Sequence, residues 1–146
     1  MPHLNVHFDA NGMPLIDVDI GVAQARAEQL IKAKWPVPPL VRARLLIDSG
    51  ASSTNIDSKI ILALAIPPRG ITQIHTPSTG VTPHSASLFD ISLQVSVPPQ
   101  TMRFPALLTV GSDFSASGID GLLGRDVLAN ALWVYDGVAK RYSLCF

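Results

Sequence analysis

The sequence has little charge and almost no cysteine. Only 15% of its 146 residues are charged, and the 11 basic residues balance the 11 acidic ones, so the net charge is zero. A chain without a basic excess has no electrostatic footprint for nucleic acid or for an anionic lipid surface, and we expect neither partner. Because its surface has little self-repulsion, the chain favours association into an oligomer.

The single cysteine, Cys145, excludes an intrachain disulfide and a zinc site built from cysteines. The four histidines form two sequence pairs, His3 with His7 and His75 with His84. Neither pair is accompanied by the further ligands that a zinc site needs. We therefore expect no metal ion and no other cofactor.

Long apolar runs are also missing. No stretch approaches the roughly 18 uninterrupted apolar residues of a membrane-spanning helix, so we expect no membrane insertion. The N-terminus has neither the basic flank nor the apolar stretch of a secretory signal, which makes the cytoplasm the expected location. A length of 146 residues is typical of one ordinary domain, and we expect residues 1–146 to form a single domain.

Most of the remaining pattern is typical of β-strands. Apolar and polar residues alternate over 41–47, 89–97 and 102–110, with a proline turn between the last two segments. A terminal hairpin is predicted around Asp136-Gly137, a dipeptide that favours positive φ angles. Helices are predicted only over 22–34, over 57–64 with Asp57 as its cap, and over 125–130. The sequence thus predicts an all-β fold with few short helices.

The sharpest local feature is an apolar strand that ends in an acid, with the sequence Leu45-Leu46-Ile47-Asp48-Ser49-Gly50-Ala51. Glycine after the acid lets the backbone bend sharply, and the serine hydroxyl can hold the loop by local hydrogen bonds. Such a loop presents the Asp48 carboxylate in a fixed orientation. Taken alone, the tripeptide is also typical of an ordinary turn.

A second segment favours a functional loop over an ordinary turn. In this segment Leu122-Leu123-Gly124-Arg125 leads into a short predicted helix. An apolar strand that enters Asp-Ser-Gly-Ala, followed much later by two apolar residues, a glycine and a helix, resembles the retropepsin-like aspartic proteases. This family contains the retroviral proteases and bacterial relatives. The resemblance covers most of the chain from Val41 onward, and it implies a closed retropepsin-like β-barrel in which Leu122, Leu123 and Gly124 thread beside the Asp48 loop.

The resemblance also implies a hairpin flap over the active site, and residues 71–93 fit it. Turn-forming residues are frequent at the expected tip. The alternative is a surface hairpin without a ligand role, since any exposed turn uses such residues. The predicted tip consists of Thr76, Pro77, Ser78, Thr79, Gly80, Val81 and Thr82.

The sequence departs from the retroviral pattern just after the acid loop. Retroviral enzymes carry acidic residues there that pair with the arginine of the later helix, whereas this chain has Ser52 and Ser53. Arg125 must therefore have another partner, and Asp57 and Asp126 both remain open. The segment 22–34 is an insertion relative to the retroviral chains.

The activity that the resemblance implies is hydrolysis of peptide bonds by a homodimeric aspartic endopeptidase. One Asp48 from each subunit activates a water, and the two carboxylates share one proton because like charges so close cannot both ionise. Ser49 hydrogen-bonds across the interface, and Gly50 offers backbone groups to an extended peptide. The alternative is a dimeric binding or assembly module that keeps the fold without turnover.

A site for the subunit contact is also predicted. Tyr142, Leu144 and Phe146 alternate along the last strand, and such an apolar face suits an interface between two copies. We therefore expect the C-terminal strand to carry the dimer contact.

Overall fold

A computed structural model of the protein describes residues 1–75 and 80–146. Short strands dominate, as the alternating pattern predicts, and the helices are brief. In chain order the described elements are β1 His3–His7, β2 Leu15–Val22, α1 Gln24–Lys32, β3 Val41–Ile47, β4 Asn55–Asp57, α2 Ser58–Ala63, β5 Gly70–Ile74, β6 His84–Val97, β7 Gln100–Ser112, β8 Gly121–Leu123, α3 Arg125–Leu128, β9 Leu132–Asp136 and β10 Arg141–Cys145.

Six strands close into a barrel. Their hydrogen-bonded order is β2-β3-β8-β4-β7-β6, and an antiparallel pairing of β2 with β6 closes the ring. The β3–β8 and β4–β7 pairs are parallel. β5 lies outside the ring and pairs with β6. Closure leaves the ring strands without free edges, and it confirms the predicted all-β closed barrel with few short helices.

The barrel core follows from the strict alternation along the strands. In β3, Ala43, Leu45 and Ile47 are at most 3% exposed, whereas Arg42 and Arg44 face solvent. Burying one aliphatic side chain of this size stabilises the fold by about 1.5 to 3 kcal/mol. The alternation therefore fixes which face of β3 points inward before the strand reaches Asp48.

A second sheet, in the order β1-β10-β9, packs against the barrel. Tyr142 and Leu144 of its middle strand are fully buried within their own chain, and the Tyr142 hydroxyl donates a hydrogen bond to the Leu15 carbonyl at 2.6 Å. Phe146 lies edge-on to Phe104, with ring centroids 6.3 Å apart. Burial of Tyr142 and Leu144 in their own chain contradicts their predicted place in the subunit contact, while Phe146 is only partly buried. An alternating pattern cannot distinguish a chain's own core from a partner's surface.

All three predicted helices are present, and each is shorter than predicted. α1 begins after Val22, which still belongs to β2, and the chain leaves the helix at Lys34, where φ is 59°. The Asp57 side chain caps α2 as predicted, accepting a hydrogen bond from the Lys59 amide at 2.8 Å. Among the described residues, no helix is long and apolar enough to cross a membrane.

The terminal hairpin forms as predicted, but its turn differs. β9 and β10 pair antiparallel, with Asp136 opposite Arg141. The positive φ lies at Lys140, at 50°, rather than at Gly137. The connection is therefore longer than the two-residue turn that Asp136-Gly137 favours.

β8 crosses β4 at very short range. The backbone of Gly121 has a φ of 155°, and a methyl group at this position would overlap the Asn55 carbonyl oxygen. Only glycine leaves space for this approach. The contact fixes β8 between β3 and β4, and β8 itself contains Leu122 and Leu123 and ends just before Gly124.

We expect Gly121→Ala to lower the free energy of unfolding by about 3 kcal/mol, since overpacking against backbone cannot be relieved by rotating a side chain. The matched control is Gly70→Ala, because an added methyl at Gly70 meets no atom within 4 Å. Denaturant unfolding of both variants checks this. Equal stability of the two variants would contradict the proposed crossing.

Asp120 joins three elements just before β8. Its carboxylate accepts hydrogen bonds from the Arg44 amide and from Lys59 Nζ, both at 2.9 Å, and its carbonyl accepts one from the Asp57 amide at 2.8 Å. Partial burial acts to raise the pKa of Asp120, but the Arg44 amide and Lys59 outweigh it and hold the pKa below the ordinary value of 3.8. The ionised carboxylate thus favours the folded state.

This lowered pKa predicts acid sensitivity. Above pH 3.8 the contribution of Asp120 is fully present, and it is lost as the pH falls through the lower pKa of the folded state. We expect the free energy of unfolding of Asp120→Asn to decrease less steeply than that of the wild type as the pH falls from about 5 to 2. The slope for Lys59→Gln should lie between those of Asp120→Asn and the wild type. Denaturant titrations across this range measure the slopes, and identical slopes for all three proteins would refute the assignment.

Candidate active site

Asp48 follows β3 without a break and is half-buried. Its backbone amide donates to the Leu123 carbonyl at 3.0 Å, which continues the β3–β8 pairing past the strand end. Its Oδ1 accepts a hydrogen bond from the Gly50 amide at 2.8 Å. The carboxylate is therefore held by the Gly50 amide of the loop that follows it, rather than through the Ser49 hydroxyl, for which the sequence predicts local hydrogen bonds.

Arg125 holds this loop by hydrogen bonds to its backbone carbonyl groups. Its Nη1 donates to the carbonyl oxygens of Ser49 at 2.9 Å and of Gly50 at 3.3 Å, while its backbone amide donates to the Ala51 carbonyl at 2.9 Å. The guanidinium thus binds neutral backbone acceptors. Neither of the acids left open by the sequence is its partner in the described structure.

Those two acids have other roles. Asp126 accepts hydrogen bonds from the amide and the hydroxyl of Thr54, at 2.9 Å and 2.8 Å. Asp57 is 3% exposed, caps α2 and also accepts the Phe114 amide at 3.1 Å. Both carboxylates are therefore committed to holding the strands around the loop.

Thr54 is a central residue that sequence reasoning missed. It is fully buried, and its hydroxyl accepts a hydrogen bond from the Gly124 amide at 3.1 Å while donating to Asp126. Gly124 lies so close that a methyl group on it would stand 2.5 Å from the Ser53 carbonyl carbon. No motif marks Thr54 in the sequence, because both of its partners are about 70 residues away.

A cleft of about 550 Å³ opens beside the loop. Of the predicted site residues, Asp48, Gly50, Ala51 and Leu122 line it. Ser49 is exposed beside it, and Leu123 is fully buried in the core. The cleft also has lining residues that the sequence did not single out as a site: Ser52, Ser53, Asn55, Ile74, His75, Val110, Ser112 and Phe114.

The predicted flap is a hairpin of β5 and β6, with Gly70 opposite Leu88 and Ile74 opposite His84. Ile74 and His75, at the end of β5, reach the cleft. Within the predicted tip, Gly80 has a φ of 58°, and Val81 is 96% exposed. Thr82 is exposed, and Thr76, Pro77, Ser78 and Thr79 lie outside the described residues.

The charge of the cleft is low. Asp48 and His75 are the ionisable side chains among its described lining residues. Within residues 1–75 and 80–146, no three histidine, cysteine or acidic side chains cluster in a way that could hold a metal ion. The cleft thus presents one carboxylate, Asp48, and one imidazole, His75, among its described lining residues.

Comparison with known proteins gives a match in structure rather than in sequence. No protein-family model matches the chain, and no curated protein matches it. A crystal structure of a retropepsin-like aspartic protease from Rickettsia conorii superposes with a TM-score of 0.61 at 12% identity, over 97% of this chain and 89% of the Rickettsia chain.

Two further solved structures align less closely. EIAV protease in complex with the inhibitor HBY-793 has a TM-score of 0.44 at 14% identity, over 86% of this chain and 93% of its own. The retroviral protease-like domain of Ddi1 from Leishmania major has a TM-score of 0.39 at 13% identity, over 84% and 82%. The fold assignment rests on the Rickettsia structure and on the barrel and loop described above: this chain has the retropepsin-like fold.

Proposed function

We propose that the protein is a homodimeric aspartic endopeptidase, with residues 1–146 acting as one domain. The observation that carries the proposal is the Asp48 carboxylate, held at the end of β3 by the Gly50 amide and facing a cleft of about 550 Å³ in a retropepsin-like barrel. A fixed carboxylate at the edge of a peptide-sized cleft is suited to general acid–base catalysis on a bound chain.

The need for a second copy follows from the acids of this chain. Hydrolysis of an amide requires one carboxylate as a base and a second group as an acid. Asp57 and Asp126 are committed to structural hydrogen bonds, and Asp48 is the carboxylate among the described cleft residues. A two-fold symmetric dimer supplies the second carboxylate as the partner's Asp48, because such an interface brings equal residues together.

The mechanism follows from one proton shared by two carboxylates. The ionised carboxylate removes a proton from water, and the water oxygen forms a bond to the carbon of the scissile carbonyl. The protonated carboxyl group donates its proton to the carbonyl oxygen. Collapse of the tetrahedral intermediate breaks the C–N bond. The departing nitrogen receives the proton taken from the water, and one hydroxyl proton of the intermediate returns to the carboxylate that acted as the acid. No cofactor is needed for these steps.

The neighbouring residues orient the reacting groups. Arg125 holds the Ser49 and Gly50 carbonyls, so the loop cannot swing away when a peptide enters. We assign to the exposed Ser49 hydroxyl a hydrogen bond across the dimer axis. The flap hairpin covers an extended peptide from the other side, in the manner of strand addition.

The role of Asp48 is tested by Asp48→Asn, which keeps the side-chain size and removes the base. We expect peptidase activity to fall by at least about 100-fold while the melting temperature holds or rises, because repulsion between paired acids is removed. The control is Asp9→Asn in the turn between β1 and β2, where an asparagine oxygen can accept the same hydrogen bonds from the Asn11 and Met13 amides. The cleavage rates of both variants and of the wild type are measured with a peptide library between about pH 4 and 7.

Wild-type turnover by purified Asp48→Asn would overturn the assignment of Asp48. An inactive wild-type protein that binds peptides would instead favour the alternative of a binding or assembly module. The two results are separated by measuring peptide binding and cleavage on the same preparations.

A further prediction concerns where the subunits meet. β9 is an edge strand of the second sheet, and its Leu132 and Val134 are 58% and 48% exposed. The opposite edge strand, β1, has the polar residues His3, Asn5 and His7 at its exposed positions. An exposed apolar edge is suited to association, so we assign the contact between copies to β9.

We expect the wild type to sediment as a dimer at low micromolar concentration and Val134→Lys to shift towards monomer with a matching loss of activity. A buried lysine would oppose its own copy across the axis. The matched control is Val138→Lys, in the turn after β9, where the side chain is 98% exposed. A fully active wild-type monomer would contradict the dimeric mechanism, and an unchanged dimer in Val134→Lys would exclude β9.

A further inference from the structure

One amide interrupts an apolar row in the cleft. Asn55 of β4 pairs with Val110 of β7 on one side and with Leu122 of β8 on the other. All three residues line the cleft, together with Ile74 of β5. An apolar side chain at the centre of this row would pack best, and a polar group placed there is costly unless it is hydrogen-bonded.

The orientation of this amide is fixed by its own backbone. Asn55 Nδ2 donates a hydrogen bond to the Ser53 carbonyl at 2.9 Å. A carbonyl oxygen only accepts, so the NH₂ group must face Ser53 and Oδ1 must be the other, outward atom. Within the described part of the chain Oδ1 accepts no hydrogen bond, which leaves an oriented acceptor in the cleft wall.

We propose that Asn55 is a specificity-determining residue that selects peptides with an uncharged, hydrogen-bond-donating side chain (Ser, Thr, Asn or Gln) near the scissile bond. The inference rests on the proposed function and names its substrate class. A donor side chain satisfies Oδ1 when the peptide displaces water from the cleft. An apolar side chain of the same shape would leave this acceptor unpaired, which lowers affinity.

The surroundings of Asn55 explain why the selected side chain is uncharged. Ile74, Val110 and Leu122 line the cleft on the strands next to Asn55, and the ionisable side chains among the described lining residues are His75 and Asp48, whose carboxylate the proposed reaction uses. A substrate ammonium or carboxylate would lose its hydration there without a matching ion beside the amide. A neutral donor needs only the one acceptor that the wall provides.

The test uses pairs of non-cleavable peptides with a reduced amide at the scissile position and isosteric side chains, Thr against Val, Asn against Leu and Gln against Met. Each pair is placed in turn at the three positions on either side of the reduced bond. Calorimetry with the wild-type protein should show the polar member binding at least about 10-fold more tightly at one position on each side of the reduced bond. Asn55→Leu should abolish or reverse this preference.

Asn11→Leu, on an exposed turn, is the matched control and should retain the wild-type preference. Asn55→Val replaces Asn55→Leu if the melting temperature shows that leucine is not accommodated. The inference is overturned if the wild type binds both members of every pair equally, if it binds none, if a lysine side chain is preferred to glutamine, or if the preference survives in both Asn55 variants. If the preference is present but the matching ordinary peptides are not cleaved, the inference stands and the proposed hydrolysis fails.

Discussion

The backbone of Gly124 passes directly against the backbone of Ser53 and Thr54, and the site depends on this contact. The approach brings the Gly124 amide to the Thr54 hydroxyl, which in turn donates to Asp126. It also places the next residue, Arg125, beneath the acid loop. A bulkier residue at Gly124 would push the two segments apart and release Asp48, so the crossing is the constraint that orients the carboxylate.

The hydrogen bonds of Arg125 explain why this chain does not need the acidic residues that follow the catalytic loop in the retroviral pattern. Its guanidinium binds the carbonyl oxygens of Ser49 and Gly50 rather than a carboxylate. The contact between Arg125 and the loop is therefore made without a carboxylate. Ser52 and Ser53, where those acids would be, leave a neutral polar rim on the cleft, in keeping with its low charge.

Local signals were sufficient for part of this structure. The alternation over 41–47 and the Asp57 cap depend on residues close in sequence, and both predictions are confirmed. β4 and β8 have three residues each, too few for a periodic pattern, so the crossing at Gly121 could not be predicted. Thr54 and Asn55 were missed for the same reason, since their roles are set by partners on distant strands. Tyr142 shows a different kind of error. Its strand was predicted correctly, but its side chain packs in the core of its own chain rather than against a second copy.

The proposed dimer makes the specificity of the cleft two-sided. In a two-fold symmetric assembly every residue near the axis occurs twice, whereas a peptide has a direction and places different side chains on the two sides of its scissile bond. Two Asn55 amides would then lie on opposite sides of the paired Asp48 carboxylates, each between apolar neighbours of its own subunit. Because the two amides are chemically equal, the proposed dimer would bind most tightly to peptides that carry a hydrogen-bond donor on both sides of the bond. A peptide with one donor would hydrogen-bond to one of the two Asn55 side chains and leave the Oδ1 acceptor of the other unpaired, which lowers its affinity.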